Sequence, residues 1–235
     1  MRLNQLAEAE LSKQEVLAAV AHELRTPLTA ARGSIDMATR KLAAGRSEDV
    51  PPLLGHSREA LDRLVQLTAD LLEASRDEQP RLAREPQPVA ETLARTCSWA
   101  ASHASEKNIT LTLDPIAPDL RVMGDGEALQ SVFGNLISNA IRYTPSGGRV
   151  DVRVRSDDGT VTVEVCDTGI GMIPEVQNRV FEKFYRAPEA QLAVPQGLGL
   201  GLALVRQLVE AQDGRVEVES APGAGSTFRV HLPRG

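Results

Sequence analysis

The feature that most constrains this chain is an apolar stripe that steps by three and four from its first residues: Leu3, Leu6, Leu17, Val20, Leu24, Leu28, Ala31, Ile35, Ala38 and Leu42, with Glu10 and Lys13 in the same phase. That period belongs to an α-helix, and the run predicts one helix of roughly 40 residues, or ~60 Å. Gly45 to Asp49 reads as a turn, and Pro51 suits the start of a second helix. The second helix carries Leu53, Leu54, Leu61, Leu64, Leu67 or Thr68, and Leu71. Two such helices form a hairpin, which cannot cover its own stripes on both sides, so two copies are expected to associate as a four-helix bundle. The alternative is a monomeric hairpin packed on a second domain. It is less favoured because Glu10 and Lys13 sit on the seam as coiled-coil residues do.

At 100° per residue Leu17, Val20, Leu24, Leu28 and Ala31 share a sector, and His22 points roughly 160° away, toward water. A lone surface histidine on a long helix usually does nothing; here its neighbours are specific. Glu23 follows directly, Thr26 lies one turn on and about 40° round the helix, and Pro27 removes a helix hydrogen bond at that point. From His22 to Thr29 the sequence reads His-Glu-Leu-Arg-Thr-Pro-Leu-Thr. This resembles the H-box of sensor histidine kinases at every position. The resemblance implies that His22 is the phosphoryl acceptor, that Glu23 holds or removes the proton on its other ring nitrogen, and that Thr26 positions water for the reverse dephosphorylation.

Composition narrows the partners. The net charge is −6 with Lys and Arg scattered, which argues against nucleic acid. The two cysteines, Cys97 and Cys166, are too few for a disulfide framework and favour a reducing compartment. No apolar run reaches the ~18 residues of a membrane span, and the N-terminus lacks a signal-peptide pattern. The expected setting is therefore the cytoplasm, either as a free protein or as the cytoplasmic part of a membrane-anchored sensor. With only 3 % aromatic residues, the core must be built from Leu, Val, Ile and Ala.

Residues 77–88 hold three prolines and no periodicity, and read as a linker between a hairpin at 1–76 and a second domain at 89–235. The second domain is expected to contain helices near 89–105, 126–143 and 200–211, a short helix near Pro174, and strands near 109–113, 149–155, 160–166, 215–219 and 226–232. Helices with mostly antiparallel strands imply an α/β sandwich. The fold class expected for the whole chain is thus α plus α/β.

Asp125 is a natural N-cap for the second of those helices. Leu129, Val132, Phe133, Leu136, Ile137 and Ala140 form its core face, and Asn135, Asn139 and Arg142 lie together beside it. Asn is a poor helix former, so two of them one turn apart point to a use for their side chains. A carboxamide oxygen suits Mg²⁺, and Arg142 suits phosphate. The strand at 160–166 breaks at Asp167-Thr-Gly-Ile-Gly-Met, a carboxylate followed by glycines that permit close backbone approach. Gly197-Leu-Gly-Leu-Gly201 opens an apolar helix and offers free N–H groups to an anion, without the Lys-Ser/Thr of a P-loop.

These segments resemble the N-box, the G1 box and the G2 box of the same family, whose ATP-binding domain has the Bergerat-type fold. Phe181 and Phe184, in Val180-Phe-Glu-Lys-Phe-Tyr-Arg186, resemble its F-box. By resemblance Asn139 binds Mg²⁺ with Asn135 supporting the metal or its water, Arg142 contacts phosphate and Tyr143 packs beside the base. Asp167 reads adenine, Gly169 and Gly171 shape the pocket, and Gly197, Leu198, Gly199, Leu200 and Gly201 form the phosphate turn. Residues 187–196 would be the lid over ATP, and Thr227 would reach the base pocket. Leu198 departs from the small hydroxyl residue the family often has. The function implied is ATP-dependent histidine autophosphorylation in a homodimer, followed by transfer to the receiver domain of a response regulator. A simple ATPase of the same fold needs no H-box. A non-catalytic dimeric scaffold would tolerate loss of His22, Glu23 or Asn139, and all three are present.

Overall fold

The structure, a computed structural model, describes residues 2–74, 82–157, 159–194 and 197–235; side chains are described from residue 18, save 19, 63, 66, 69, 70 and 72–74. The chain forms two compact units, Met1–Ser75 with Gln196–Leu198, and Arg76–Pro195 with Gly199–Gly235.

In the first unit α1 (Arg2–Ala43) runs through Pro27 without a break, and α2 (Val50–Ala74) returns antiparallel to it after a short 3₁₀ turn at Ser47–Asp49. Gly45 turns the chain at φ +73°, and Asp49 accepts Lys41 Nζ at 2.9 Å to tie off the end of α1. The Ser57 hydroxyl donates to the Ala31 carbonyl at 3.2 Å. That bond joins the two helices at a point where both residues are buried, and small residues on α1 let the backbones approach. Ala31 and Ala38 are 2 % and 4 % exposed, whereas Leu28, Ile35 and Leu42 are 56, 46 and 56 % exposed. The single apolar sector expected for α1 is therefore two seams, each repeating every seven residues, one turned into the hairpin and one, with Leu28, turned out. On α2, Leu54, Leu61 and Val65 continue the outward seam. The expected seam positions Glu10, Lys13 and Leu17 lie outside the described side chains.

The second unit is an α/β sandwich. Its main sheet has the order β2-β4-β5-β7-β6, from β2 (Thr110–Leu113), β4 (Arg149–Asp157), β5 (Thr160–Asp167), β6 (Arg215–Ala221) and β7 (Gly225–Pro233). Only β2 with β4 is parallel. The helices α3 (Val89–Glu106), α4 (Gly126–Tyr143) and α7 (Gly201–Glu210) cover one face, while α5 (Pro174–Gln177) and α6 (Pro188–Ala193) fall between β5 and α7. Alternation on the strands puts Val150, Val152, Val161, Val163, Val165, Phe228 and Val230 under Phe133, Leu136 and Ile137 of α4, all at most 5 % exposed. The other face is polar and pairs Arg229 with Glu164 at 3.1 Å and Glu219 at 2.9 Å.

Three elements differ from expectation. Glu85–Pro88, taken as the end of the linker, is strand β1, paired antiparallel with β3 (Arg121–Gly124). Prolines that break a helix are tolerated in a two-stranded ribbon, where half the N–H groups have no partner to meet. The strand β3 was not expected either, because its two apolar residues, Val122 and Met123, are adjacent and give no alternating pattern in sequence. Inside the expected lid, residues 188–193 form α6, started by Pro188 at its first turn.

Candidate nucleotide site and phosphoacceptor helix

Helix α4 begins where predicted: the Asp125 carboxylate accepts from the N–H groups of Glu127 and Ala128, each at 3.0 Å. The cap sets the phase that buries Leu129, Val132, Phe133, Leu136 and Ile137 and leaves Asn135, Asn139, Arg142 and Tyr143 half-buried at the rim. Asn135 donates Nδ2 to the Ser131 carbonyl at 3.0 Å, which turns its Oδ1 toward α7. A Cβ placed on Gly201, the first residue of α7, would lie 2.7 Å from that oxygen. A side chain at 201 would thus displace the Asn135 carboxamide where α7 starts against α4. The N-cap of α7 is Leu200, which closes no N–H with its side chain, so the positive end of the helix stays open to an anion beside Asn135.

The G1 turn forms the other end of the site. Asp167 Oδ1 accepts from the N–H groups of Gly169 at 2.8 Å and Ser226 at 3.2 Å, and Oδ2 is left for a further donor. Burial pushes the Asp167 carboxyl above its ordinary range, while the two backbone bonds pull it down and only partly offset that rise. Gly169 lies against Tyr143, whose carbonyl a Cβ would approach to 2.7 Å, and the Ile170 N–H donates to the same carbonyl at 3.2 Å. Gly171 adopts φ +66° with Ala221 O only 1.8 Å from where a Cβ would stand. The turn between β6 and β7 therefore seats directly on the G1 turn.

Thr227 does not reach that pocket. The register pairs Thr227 with Cys166 and Ser226 with Asp167, so the pleat puts Thr227 on the opposite face of the sheet from the Asp167 carboxylate. Ser226 stands where Thr227 was expected. Its backbone meets Asp167 and its hydroxyl meets Ser220 Oγ at 2.9 Å. The alternation of β7, with Phe228 and Val230 inward, was the signal that selects Ser226.

Phe181 is buried and meets Phe228 edge-on at 6.3 Å, with the Arg206 guanidinium 4.4 Å over its ring. It anchors the F-box into the core. Phe184 adopts φ +65°, a conformation a bulky side chain rarely takes, and its N–H donates to the Gly199 carbonyl at 3.1 Å. Gly199, at φ +70°, has Tyr185 O 2.6 Å from its would-be Cβ. The F-box and the glycine turn are thereby laced backbone to backbone where the α6 segment leaves the fold. Gly197, at φ +135°, and the buried Leu198 group with the first unit.

In the first unit His22 is exposed on α1, as its angular position predicts. The Thr26 hydroxyl donates to the His22 carbonyl at 3.1 Å, which leaves its oxygen lone pairs as acceptors. Pro27, one residue on, has no N–H for the Glu23 carbonyl.

A sandwich in which an Asn-bearing helix, a carboxylate-glycine turn and an open helix N-terminus converge defines an ATP-binding domain, and the helical hairpin with an exposed histidine defines its companion. Residues 124–235 match the family of histidine kinase-, DNA gyrase B- and HSP90-like ATPases, and residues 12–80 match the His kinase A phospho-acceptor domain. The sensor-like histidine kinase SenX3 of Mycobacterium tuberculosis is 34 % identical over 232 residues, covering 97 % of this chain and 55 % of that protein. The mycobacterial sensor histidine kinase MprB matches as a solved structure with a TM-score of 0.55 and 30 % identity, over 65 % of this chain and 98 % of that one. The fold also matches histidine kinase ThkA, solved in complex with response regulator TrrA, with a TM-score of 0.66 and 24 % identity over 97 % of this chain and 64 % of that one. The chain belongs to the sensor histidine kinases of two-component systems and comprises their catalytic core. It spans about half the length of the curated relatives it matches. Among the described residues no helix is long and apolar enough to cross a membrane.

Proposed function

We propose that this core transfers the γ-phosphoryl group of ATP to His22 and then to an aspartate on a response regulator's receiver domain. The observation that carries the reading is the placement of Asn135 Oδ1 against Gly201 at the uncapped start of α7, with Asp167 closing the other end of the site. Asp167 Oδ2 accepts the amino group of adenine, Tyr143 packs beside the base, and Arg142 and the N–H groups of the glycine turn meet phosphate. Among the described residues no three His, Cys, Asp or Glu gather as a metal site. The carboxamide oxygens of Asn139 and Asn135 fit Mg²⁺, a hard cation that completes its shell with phosphate oxygens and water. When bound, Mg²⁺ would neutralise charge on the phosphates.

In the reaction a His22 ring nitrogen attacks the γ-phosphorus, an N–P bond forms, the bond to the ADP oxygen breaks, and Glu23 takes or holds the proton of the other ring nitrogen. The phosphohistidine is then the donor to the regulator's carboxylate, a partner that fits the ThkA–TrrA complex. Thr26 serves the reverse reaction by holding water against the phosphoaspartate.

The division of labour follows the chain. The hairpin at 1–76 holds the acceptor, residues 89–235 hold ATP, and 77–88 join them, with β1 already part of the ATP-binding domain. The outward seam of Leu28, Ile35, Leu42, Leu54, Leu61 and Val65 supports a homodimeric four-helix bundle. Use of ATP and two free cysteines support action in the cytoplasm. Incubating the chain with radiolabelled Mg·ATP should give a protein-bound label that is acid-labile and base-stable; ATP hydrolysis without such a label would favour the simple ATPase.

A further inference from the structure

The C-terminal end of α4 presents four carbonyls with no partner inside the helix, and each has one here. Ala140 O receives the Thr144 N–H at 3.1 Å and the Thr144 hydroxyl at 2.7 Å. Tyr143 O receives the Ile170 N–H of the G1 turn at 3.2 Å. The two between them, Ile141 O and Arg142 O, both receive Lys107 Nζ, at 3.0 and 2.6 Å. Lys107 follows the last turn of α3, and the chain beyond it is fixed as well. Asn108, at φ +55°, accepts the Gly147 N–H at 3.0 Å, and Ile109 donates back to Ala104 O at 2.7 Å. The ammonium is thus delivered from a rigid corner to the carbonyls of the residues that precede and include Arg142. Its charge also complements the negative end of the helix.

We infer that Lys107 is a positioning residue for nucleotide binding: by clamping the Ile141 and Arg142 carbonyls it fixes where the Arg142 and Tyr143 side chains stand relative to the G1 turn. Lys107 holds no place in the glycine, asparagine or carboxylate motifs, and its hydrogen bonds go to main-chain carbonyls. Burial and the neighbouring Arg142 both lower the proton affinity of its ammonium, so the two cations are held close at some cost. Such an arrangement persists because the carbonyls repay it, and a nucleotide's phosphates on Arg142 would relieve the repulsion. The effect belongs to binding, since the attacking histidine lies elsewhere in the chain.

This inference rests on the reading that Arg142 and Tyr143 face the nucleotide, and the test separates the two. In the full chain, Lys107→Met keeps the stem and removes the charge and donors. It should weaken Mg·ADP binding by calorimetry and raise KM for ATP about tenfold, the value of hydrogen bonds to a charged group, with kcat for autophosphorylation within about twofold. Lys107→Arg should restore most of the affinity, and Lys107→Gln, with a neutral NH2 group on a shorter stem, should fall between. The graded Gln and Arg variants decide the matter if the Met variant fails to fold. A folded Gln variant with wild-type affinity, or one in which kcat falls while KM holds, overturns the proposal. If Arg142→Ala and Tyr143→Ala also leave Mg·ADP binding unchanged, the reading of the nucleotide site has failed. If those two weaken binding and the Lys107 variants do not, only the inference has.

Discussion

Asp167 ties a single carboxyl group to both binding and stability. Its Oδ1 is occupied by Gly169 and Ser226, so in the proposed reading adenine meets Oδ2 in the ionised form. Asp167→Asn replaces an acceptor by a donor on one side and should cost about 10- to 100-fold in nucleotide affinity; calorimetry with the folded variant checks this. Because burial raises the carboxyl's proton affinity, nucleotide binding by the wild-type chain should decline on acidification at a pH above that of an ordinary carboxylate. The contribution to stability has the opposite sign. A folded-state value above the unfolded one means the native state binds more protons, so this group favours folding at low pH and loses that contribution as pH rises through its folded value. Glu23 and Thr26 differ in chemistry in the same way that they differ in place. Glu23→Gln removes a base worth ~10² to 10⁴ in rate and should slow labelling of His22. Thr26→Ala removes only a hydroxyl bonded to the His22 carbonyl; it should leave labelling largely intact and slow dephosphorylation of a cognate regulator. Both rates, measured with circular dichroism as a folding control, decide the matter.

At the level of elements, the helices were the most legible part of the sequence. The 3.6 period, the Asp125 cap and the phase of Asn135 and Asn139 placed α4 at Gly126–Tyr143, where the structure has it. The strands β1 and β3 were not legible: two prolines mask β1, and β3 sets its two apolar residues, Val122 and Met123, side by side, where the equally short β2 alternates Thr with Leu. The register sets Thr227 on the face opposite the Asp167 carboxylate and Ser226 on the same face; one residue of register exchanges the faces of a strand, and motif order alone does not choose between neighbours. Lys107 was illegible because its partners are main-chain carbonyls far along the sequence. The hairpin shows the limit from the other side. Periodicity located the apolar stripe of α1 but not its division into one seam held by Ser57 and Ala31 and another left outside. That outer seam predicts that Ile35→Glu, which puts a charge between the copies, will shift the chain from dimer to monomer in light scattering at micromolar concentration, while α1 and α2 remain helical. An unchanged mass would mean that the seam is not the interface.

In the proposed function the molecule combines an exposed histidine on a helix with a nucleotide pocket in a separate sandwich, and each half is incomplete as an enzyme. In the proposed function, the exposure of His22, the uncapped start of α7 beside Asn135 and the free Asp167 oxygen take one meaning together, the transfer of a phosphoryl group from ATP to His22. Sequence alone singled out these residues, because polar side chains at helix rims and turn glycines break local propensity and stand out against the core pattern. The most direct measurement compares the wild-type chain with His22→Gln after incubation with radiolabelled Mg·ATP, following the protein-bound label and nucleotide affinity together. The account predicts an acid-labile label on the wild type, none on His22→Gln, and nucleotide affinity equal within about twofold, since the substitution leaves the pocket's own residues in place. A His22→Gln protein that still acquires the label would contradict it.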